Sequence, residues 1–160
     1  EYLYIYKDDE MQVISPRERF GFSFYVNNTY YVVEKGIGLR ILKNGSLHTV
    51  SSAPIFSTDE IHSIESINSN DLLIGTLNNG LYILTPGGLE AWNTEISRLL
   101  KEHKLYCSTV FNDHWLAMAG ENGFTSHTQA FENKGLTNTP RKVKKPKTLY
   151  LQKVAIAIFR

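Results

Sequence analysis

The sequence predicts an all-β chain that is built from a structural repeat of about 42 residues. The segment from Thr29 to Leu47 matches the segment from Asp71 to Leu89 without a gap when it is moved by 42 positions. In both segments a β-rich stretch leads to a glycine turn, a second apolar stretch and a second turn. A fixed period of this length is typical of repeat architectures, in which neighbouring units stack to bury their apolar faces.

The two segments share their glycines and most of their apolar positions. Gly38 aligns with Gly80, and Gly45 aligns with Gly87. The apolar matches are Tyr31 with Leu73, Val32 with Ile74, Leu39 with Leu81, Ile41 with Ile83, Leu42 with Leu84, and Leu47 with Leu89. Agreement at this many of 19 positions indicates a common structural unit rather than chance.

Further copies extend the repeat in both directions. A third copy follows 43 positions later, where Trp115 aligns with Leu72 and Gly123 with Gly80. A half copy opens the chain, because Leu3 to Met11 aligns with Leu39 to Leu47 at an offset of 36. The segment from Thr148 to Phe159 resembles the first strand of the unit and the start of the second.

Three or four short strands joined by tight turns, repeated at about 42 residues, match one blade of a β-propeller. We expect about four blades that form an open segment of a larger ring, since the chain begins and ends inside a unit. A four-bladed ring that closes by pairing its two half units is the alternative. The expected division is a half blade at 1–25, blades at about 26–67, 68–110 and 111–146, and a half blade at 147–160.

The repeat also predicts local structure. Strand pairs should centre on Gly36 to Gly38, Asn78 to Gly80 and Glu121 to Gly123, with positive φ angles within Asn78-Asn79-Gly80. Thr94 to His103 and Asp59 to Ile64 are the two candidate helices. The residues expected to be buried are Val32, Leu39, Ile41, Ile74, Leu81 and Ile83.

Composition and charge narrow the functional classes. The chain is 42% hydrophobic and 21% charged, which indicates a globular rather than a disordered protein. The net charge is −7 through Asn133 and +8 from Lys134 onward. The basic run from Arg141 to Lys147 has no interleaved aromatic residues, so we interpret it as a solvated loop or a poorly ordered connector and not as a nucleic-acid site. Cys107 is a single cysteine, expected to be a buried small apolar residue.

The sequence contains no catalytic or metal-binding constellation. The five histidines lack the spacing of a helical zinc pair, and there is no phosphate-binding glycine loop. The acidic run Asp8-Asp9-Glu10 falls at a hairpin turn of the repeat. Trp92, Trp115 and the nine tyrosines could line a carbohydrate site, although most are expected in the core. We therefore expect no enzyme activity, metal or cofactor in this segment, and assign no binding residues.

Ile74-Gly75-Thr76 and Gly80-Leu81-Tyr82 resemble the regulator-propeller repeat, which runs from a strand through Gly-Thr and a short turn to Gly-Leu-Tyr. Gly38-Leu39-Arg40 and Gly123-Phe124-Thr125 match it in part. This resemblance implies a ring of seven blades. It also implies a place in the extracytoplasmic sensor of a hybrid two-component histidine kinase of Bacteroides-type bacteria, where such propellers detect oligosaccharides.

The leading hypothesis is thus a periplasmic ligand-sensing propeller segment. The alternative is a structural or assembly propeller at the cell surface that binds a protein partner. A propeller lyase is a third hypothesis, but its converging histidine or paired carboxylates cannot be placed in this sequence. The expected partners are an oligosaccharide, the rest of a larger propeller or a partner chain, and a second copy in a homodimer.

Overall fold

The computed structural model describes residues 2–111, 115–120, 150–151 and 154–158. Their architecture is dominated by antiparallel strands, which confirms the predicted all-β class. The chain divides into two compact units, Glu1–Ile61 and His62–Arg160. No helix in the described residues exceeds nine residues, in agreement with the repeat.

The first unit contains a two-stranded hairpin and a four-stranded sheet. The hairpin is formed by β1 (Leu3–Lys7) and β2 (Glu10–Ile14). The sheet follows in chain order as β3 (Phe20–Val26), β4 (Thr29–Glu34), β5 (Gly38–Lys43) and β6 (Ser46–Ser51). A single helical turn, α1 (Ile55–Thr58), comes next and buries Phe56.

Three turns of this unit have the same two-residue form. Asp8-Asp9, Asn27-Asn28 and Asn44-Gly45 each have positive φ at both positions, between 48° and 75°. Such turns match the twist of the flanking strands, and Asn, Asp and Gly adopt them at the lowest cost. The predicted turn at the acidic run is therefore confirmed, and the second turn that the repeat predicts for the first aligned segment is found at Asn44-Gly45. The turn at Asn27-Asn28 was not foreseen.

The second unit contains two further sheets and a longer helix. The first sheet comprises β7 (Ile61–Ser66), β8 (Leu72–Thr76), β9 (Gly80–Thr85) and β10 (Gly88–Ala91), again in chain order. Helix α2 (Glu95–His103) leads to β11 (Leu105–Phe111) and β12 (Trp115–Gly120). The third sheet has the order β11, β12, β14 (Val154–Ile158) and β13 (Tyr150–Leu151).

The repeat is visible in these sheets. An offset of 42 moves β5 onto β9, and the pairs β4–β5 and β8–β9 turn at the predicted glycines. Within Asn78-Asn79-Gly80 only Gly80 has a positive φ, of 78°. The pair predicted at Glu121 to Gly123 lies outside the described residues. The two sheets that contain the aligned segments also include the strand before each segment, namely β3 and β7.

One of the two predicted helices is confirmed. Helix α2 starts after Thr94, whose hydroxyl accepts the backbone N–H of Ser97 at 3.3 Å. The helix predicted at Asp59 to Ile64 is wrong, because β7 begins at Ile61. Ile61 and Ile64 have helical spacing, but pairing with the neighbouring strand β8 overrides this local signal.

The core of the second unit lies between one face of its first sheet, helix α2 and the strands β11 and β12. Its buried members are Leu73, Leu81, Ile96, Leu100, Leu105 and Met118. Helix α2 reaches the sheet at Gly80, because the hydroxyl of Ser97 accepts the backbone N–H of Leu81 at 2.9 Å. A Cβ at Gly80 would lie 2.7 Å from the Ser97 carbonyl oxygen, so only glycine fits this approach.

Four of the six burial predictions are confirmed. Val32, Leu39, Ile74 and Leu81 are at most 2% exposed. Ile41 and Ile83 are only half-buried, so the predicted burial of these two is wrong. Ile83, two residues beyond Leu81 on β9, packs against the core of the second unit but is not enclosed by it. The blade limits and the ring stay predictions.

We predict that Leu81→Ala destabilises the protein by about 2–5 kcal/mol, because it removes a fully buried side chain from the core of the second unit. Denaturant unfolding measures this loss. Val50→Ala is the control, since Val50 is 43% exposed, and it should change stability by less than about 0.5 kcal/mol. A loss of stability below about 1 kcal/mol for Leu81→Ala would contradict the burial of Leu81 in the core that the repeat predicts.

Candidate binding surface on the first hairpin

The first hairpin carries most of the exposed apolar surface in the described residues. Nine large apolar or aromatic side chains are exposed in the described residues; four of them lie on the two hairpin strands, and a fifth directly precedes β1. These five are Tyr2, Tyr4, Tyr6, Met11 and Val13. Alternate residues of a strand share a face, and Tyr4 pairs with Val13 while Tyr6 pairs with Met11. The five side chains therefore form one surface, which we call the tyrosine face.

The opposite face of the hairpin is directed toward the first sheet. Its side chains Leu3, Ile5 and Ile14 are half-buried. The side-chain amide of Gln12 donates a hydrogen bond of 2.8 Å to the carbonyl oxygen of Gly45, in the turn between β5 and β6. This contact fixes which side of the hairpin is covered, and it leaves the tyrosine face exposed.

The three tyrosine rings are 57%, 61% and 72% exposed in chain order. The ring centroids of Tyr2 and Tyr4 are 6.3 Å apart, with an edge-to-face angle of 63°. The hydroxyl of Tyr6 donates to Asp9 Oδ1 at 2.8 Å, and this hydrogen bond raises the pKa of the Tyr6 phenol. Exposed phenol rings offer an apolar surface next to a polar hydroxyl, which suits ligands that have an apolar and a polar side.

A buried ion pair lies within the first sheet. Glu34 is 1% exposed. One of its carboxylate oxygens accepts a hydrogen bond from the Arg40 guanidinium, and the other accepts one of 2.8 Å from the backbone N–H of Arg17. The same guanidinium donates to the carbonyl oxygen of Leu47 at 2.6 Å. These contacts join β4, β5, β6 and the segment before β3. Because both carboxylate oxygens of Glu34 already accept hydrogen bonds from protein groups, we assign this ion pair a structural role.

Polar contacts also connect β7 and β11 in the second unit. His62 Nδ1 lies 3.0 Å from the carbonyl oxygen of Tyr106, and the Ser108 hydroxyl donates to Glu65 Oε1 at 2.7 Å. Cys107 lies between these contacts. Desolvation, and then the charge of Glu65, raise the pKa of the Cys107 thiol, which disfavours the reactive thiolate.

Cys107 is exposed, so the expectation of a buried cysteine is wrong. The pairing of β11 with β12 shifts between Leu105 and Cys107, as in a β-bulge. Leu105 occupies the buried position of this strand, with 0% exposure, and Cys107 is displaced from the core.

Most aromatic residues were expected in the core, but many of the described tyrosines are exposed. Trp92 is half-buried against the core of the second unit. Tyr25 and Tyr106 join the three hairpin tyrosines on the surface. The available signal was the spacing of Tyr2, Tyr4 and Tyr6 at every second residue, which predicts one face of a strand but not whether that face is covered.

Metal and membrane signals are both negative in the described residues. No group of three His, Cys, Asp or Glu side chains there could hold a metal ion. None of the described helices has the length and apolar character needed to cross a membrane. His114, His127 and the basic run from Arg141 to Lys147 lie outside these residues.

Comparisons of the chain with protein-family models, with curated proteins and with solved structures found no match. The repeat and the surface of the first hairpin are the features of the chain that bear on its function.

We predict that Arg40→Met costs about 3–5 kcal/mol of stability, because it leaves the Glu34 carboxylate buried without its counter-charge. Arg98→Met is the matched control. Its pair with Glu102 is exposed, so the loss should stay below about 0.5 kcal/mol. Denaturant unfolding gives both values. The double variant Glu34→Gln with Arg40→Met should recover part of the loss, and equal effects of the two arginine substitutions would contradict the structural role.

Proposed function

We propose that this chain is a ligand-sensing segment of a β-propeller, in the extracytoplasmic part of a hybrid two-component sensor histidine kinase. It binds an oligosaccharide through the tyrosine face of the first hairpin. The observation that carries the proposal is the clustering of four exposed side chains on one face of the first hairpin, with the exposed ring of Tyr2 directly before β1 and next to Tyr4.

The sheets support the propeller part of the proposal. Two of them contain four antiparallel strands in simple chain order, and their central pairs repeat at an offset of 42 residues. This topology and this length are those of propeller blades. Propellers use loops and exposed surfaces for binding, and the blades themselves act as the scaffold.

The chemistry of the described residues favours binding over catalysis. The buried carboxylate of Glu34 is held by Arg40 and by a backbone N–H. The raised pKa of Cys107 keeps its thiol in the less nucleophilic form near neutral pH. A sensor requires a surface that recognises its ligand and needs no step that makes or breaks a bond.

The arrangement of the tyrosines favours a carbohydrate. Residues two apart on a strand are about 6.5–7 Å apart, which is the spacing of Tyr4 and Tyr6 on β1. Tyr2, just before β1, extends this row of rings, because its ring centroid lies 6.3 Å from that of Tyr4. A sugar ring has an apolar C–H side that can pack on such a ring, and its hydroxyls can bond to the phenols. A row of rings along a strand suits several sugar units of one chain.

A protein partner at the cell surface is the second candidate function. Met11, which is 66% exposed, and Val13 are the observations that favour it. Tyrosine and methionine are both enriched at protein interfaces, and methionine adapts to partners of varied shape. Under this alternative the same face would bind a partner chain, and the hydroxyls of Tyr2 and Tyr4 would contribute little.

We predict that Tyr4→Ala weakens oligosaccharide binding by several-fold to about tenfold, because it removes the central ring of the row. Calorimetric titration against a panel of oligosaccharides measures the affinity. Tyr106→Ala is the matched control, since Tyr106 is also a strand residue, is 58% exposed, and lies in the other unit.

The control variant should bind as the unmodified chain does. Equal losses for Tyr4→Ala and Tyr106→Ala would contradict the assignment of the tyrosine face, and so would an absence of binding across the panel. If a protein partner is captured instead, and Met11→Ala weakens that complex while Tyr4→Phe does not, the second candidate function replaces the first.

A further inference from the structure

The outer edge of β1 is a second feature of the first hairpin. Among the described residues β1 pairs only with β2, whereas the three other sheets have four strands each. Lys7 and Glu10 flank the two-residue turn and so form its closing hydrogen-bonded pair. Because such pairs alternate along antiparallel strands, the backbone N–H and C=O groups of Tyr4 and Tyr6 point away from β2.

This edge lacks the features that usually protect an edge strand. β1 has no proline, and its five pairs with β2 are in continuous register. Lys7 at its end is its only charged side chain. By contrast, the edge strand β3 has a register shift between Phe20 and Ser23. Bulges, prolines and charges normally block the addition of another strand, so the edge of β1 is open to one.

The sequence of the edge is self-complementary. Tyr2-Leu3-Tyr4-Ile5-Tyr6 has the same pattern in both directions. If two copies of β1 pair antiparallel about Tyr4, Tyr2 lies opposite the second copy's Tyr6, and Leu3 lies opposite the second copy's Ile5. In the sequence, Glu1 and Lys7 flank this palindrome with opposite charges, and the same register sets them against each other.

We propose that two copies of this chain associate through β1, in an antiparallel pair with its two-fold axis at Tyr4. The result is a sheet of four strands in the order β2, β1, β1 and β2, the strand number of the other sheets. The outward groups of Tyr4 and Tyr6 form the new backbone hydrogen bonds. A symmetric pair of this kind needs one self-complementary surface and closes at two copies.

The association also joins the two tyrosine faces. Alternate residues keep their side across an antiparallel pair, so the tyrosines of both copies lie on one face of the joined sheet. The aromatic row then continues from one copy to the other. That the longer row accepts a longer oligosaccharide rests on the proposed function, whereas the dimer itself does not, and the dimer is measured without any ligand.

The test places charges at the two-fold axis of the proposed dimer, in the 160-residue chain. Tyr4→Lys sets two ammonium groups face to face, and Tyr4→Glu sets two carboxylates face to face. Each should raise the dimer dissociation constant about tenfold or more, because like charges directly opposite each other repel. An equal mixture of the two variants should form a heterodimer. Sedimentation velocity without ligand gives the masses.

Tyr25→Lys is the matched control. Tyr25 lies on the edge strand β3, is 69% exposed, and bonds to Asn28 of its own turn as Tyr6 bonds to Asp9. This variant should dimerise as the unmodified chain does. A monomeric unmodified chain at every soluble concentration would overturn the proposal. So would a dimer that is insensitive to both charges at Tyr4, or one that Tyr25→Lys disrupts equally.

A second pair of variants removes backbone donors without adding charge. Tyr6→Pro deletes an N–H that points to the outer edge of β1, and Tyr25→Pro deletes the corresponding N–H of β3. Both variants lose the same kind of tyrosine contact to a turn. Tyr6→Pro should weaken the dimer about tenfold or more, and Tyr25→Pro should leave it unchanged. The reverse order would overturn the proposal, even if the variants at Tyr4 fail to fold.

Discussion

The structure depends on covering both faces of short four-stranded sheets. β8 shows this constraint most clearly, because all five of its residues are buried. On one face, Leu73 and its neighbours pack against helix α2 and the strands β11 and β12. On the other face, Leu72, Ile74 and Leu84 are buried as well. The turn glycine of the repeat helps to meet this constraint, since Gly80 allows α2 to approach the sheet closely.

The first hairpin is the part of the described chain where this cover is incomplete. One of its faces is held against the first sheet by the bond from Gln12 to Gly45, while its other face presents a row of tyrosines. Its backbone is also paired on one side only among the described residues. The tyrosine face and the edge of β1 are distinct surfaces, since side chains form the face and backbone N–H and C=O groups form the edge. A ligand and a second copy can therefore use the same hairpin without competing for the same atoms.

Much of the fold was predictable because a repeat reports local structure and burial together. It located the strand pairs, the turn glycines and the burial of Leu39 and Leu81. It failed where contacts particular to one copy decide the outcome. Ile83 packs against the core of the second unit but stays partly exposed, and Cys107 is exposed next to the register shift of β11. The ion pair of Glu34 with Arg40 gave no sequence signal, since it joins two strands across a turn. The alternating tyrosines at the start of the chain predicted one face of a strand but not its exposure, because exposure depends on whether another element covers that face.

In the proposed dimer, a second copy of the chain completes the open edge of β1. Amide hydrogen exchange, followed residue by residue at increasing protein concentration, tests it most directly. The N–H groups of Tyr4 and Tyr6 should exchange freely in dilute solution and become protected as the concentration rises, because they then bond across the two-fold axis. The N–H of Tyr25, on the edge strand β3, should keep the same exchange rate at every concentration. Rates at Tyr4 and Tyr6 that do not depend on concentration would contradict the claim.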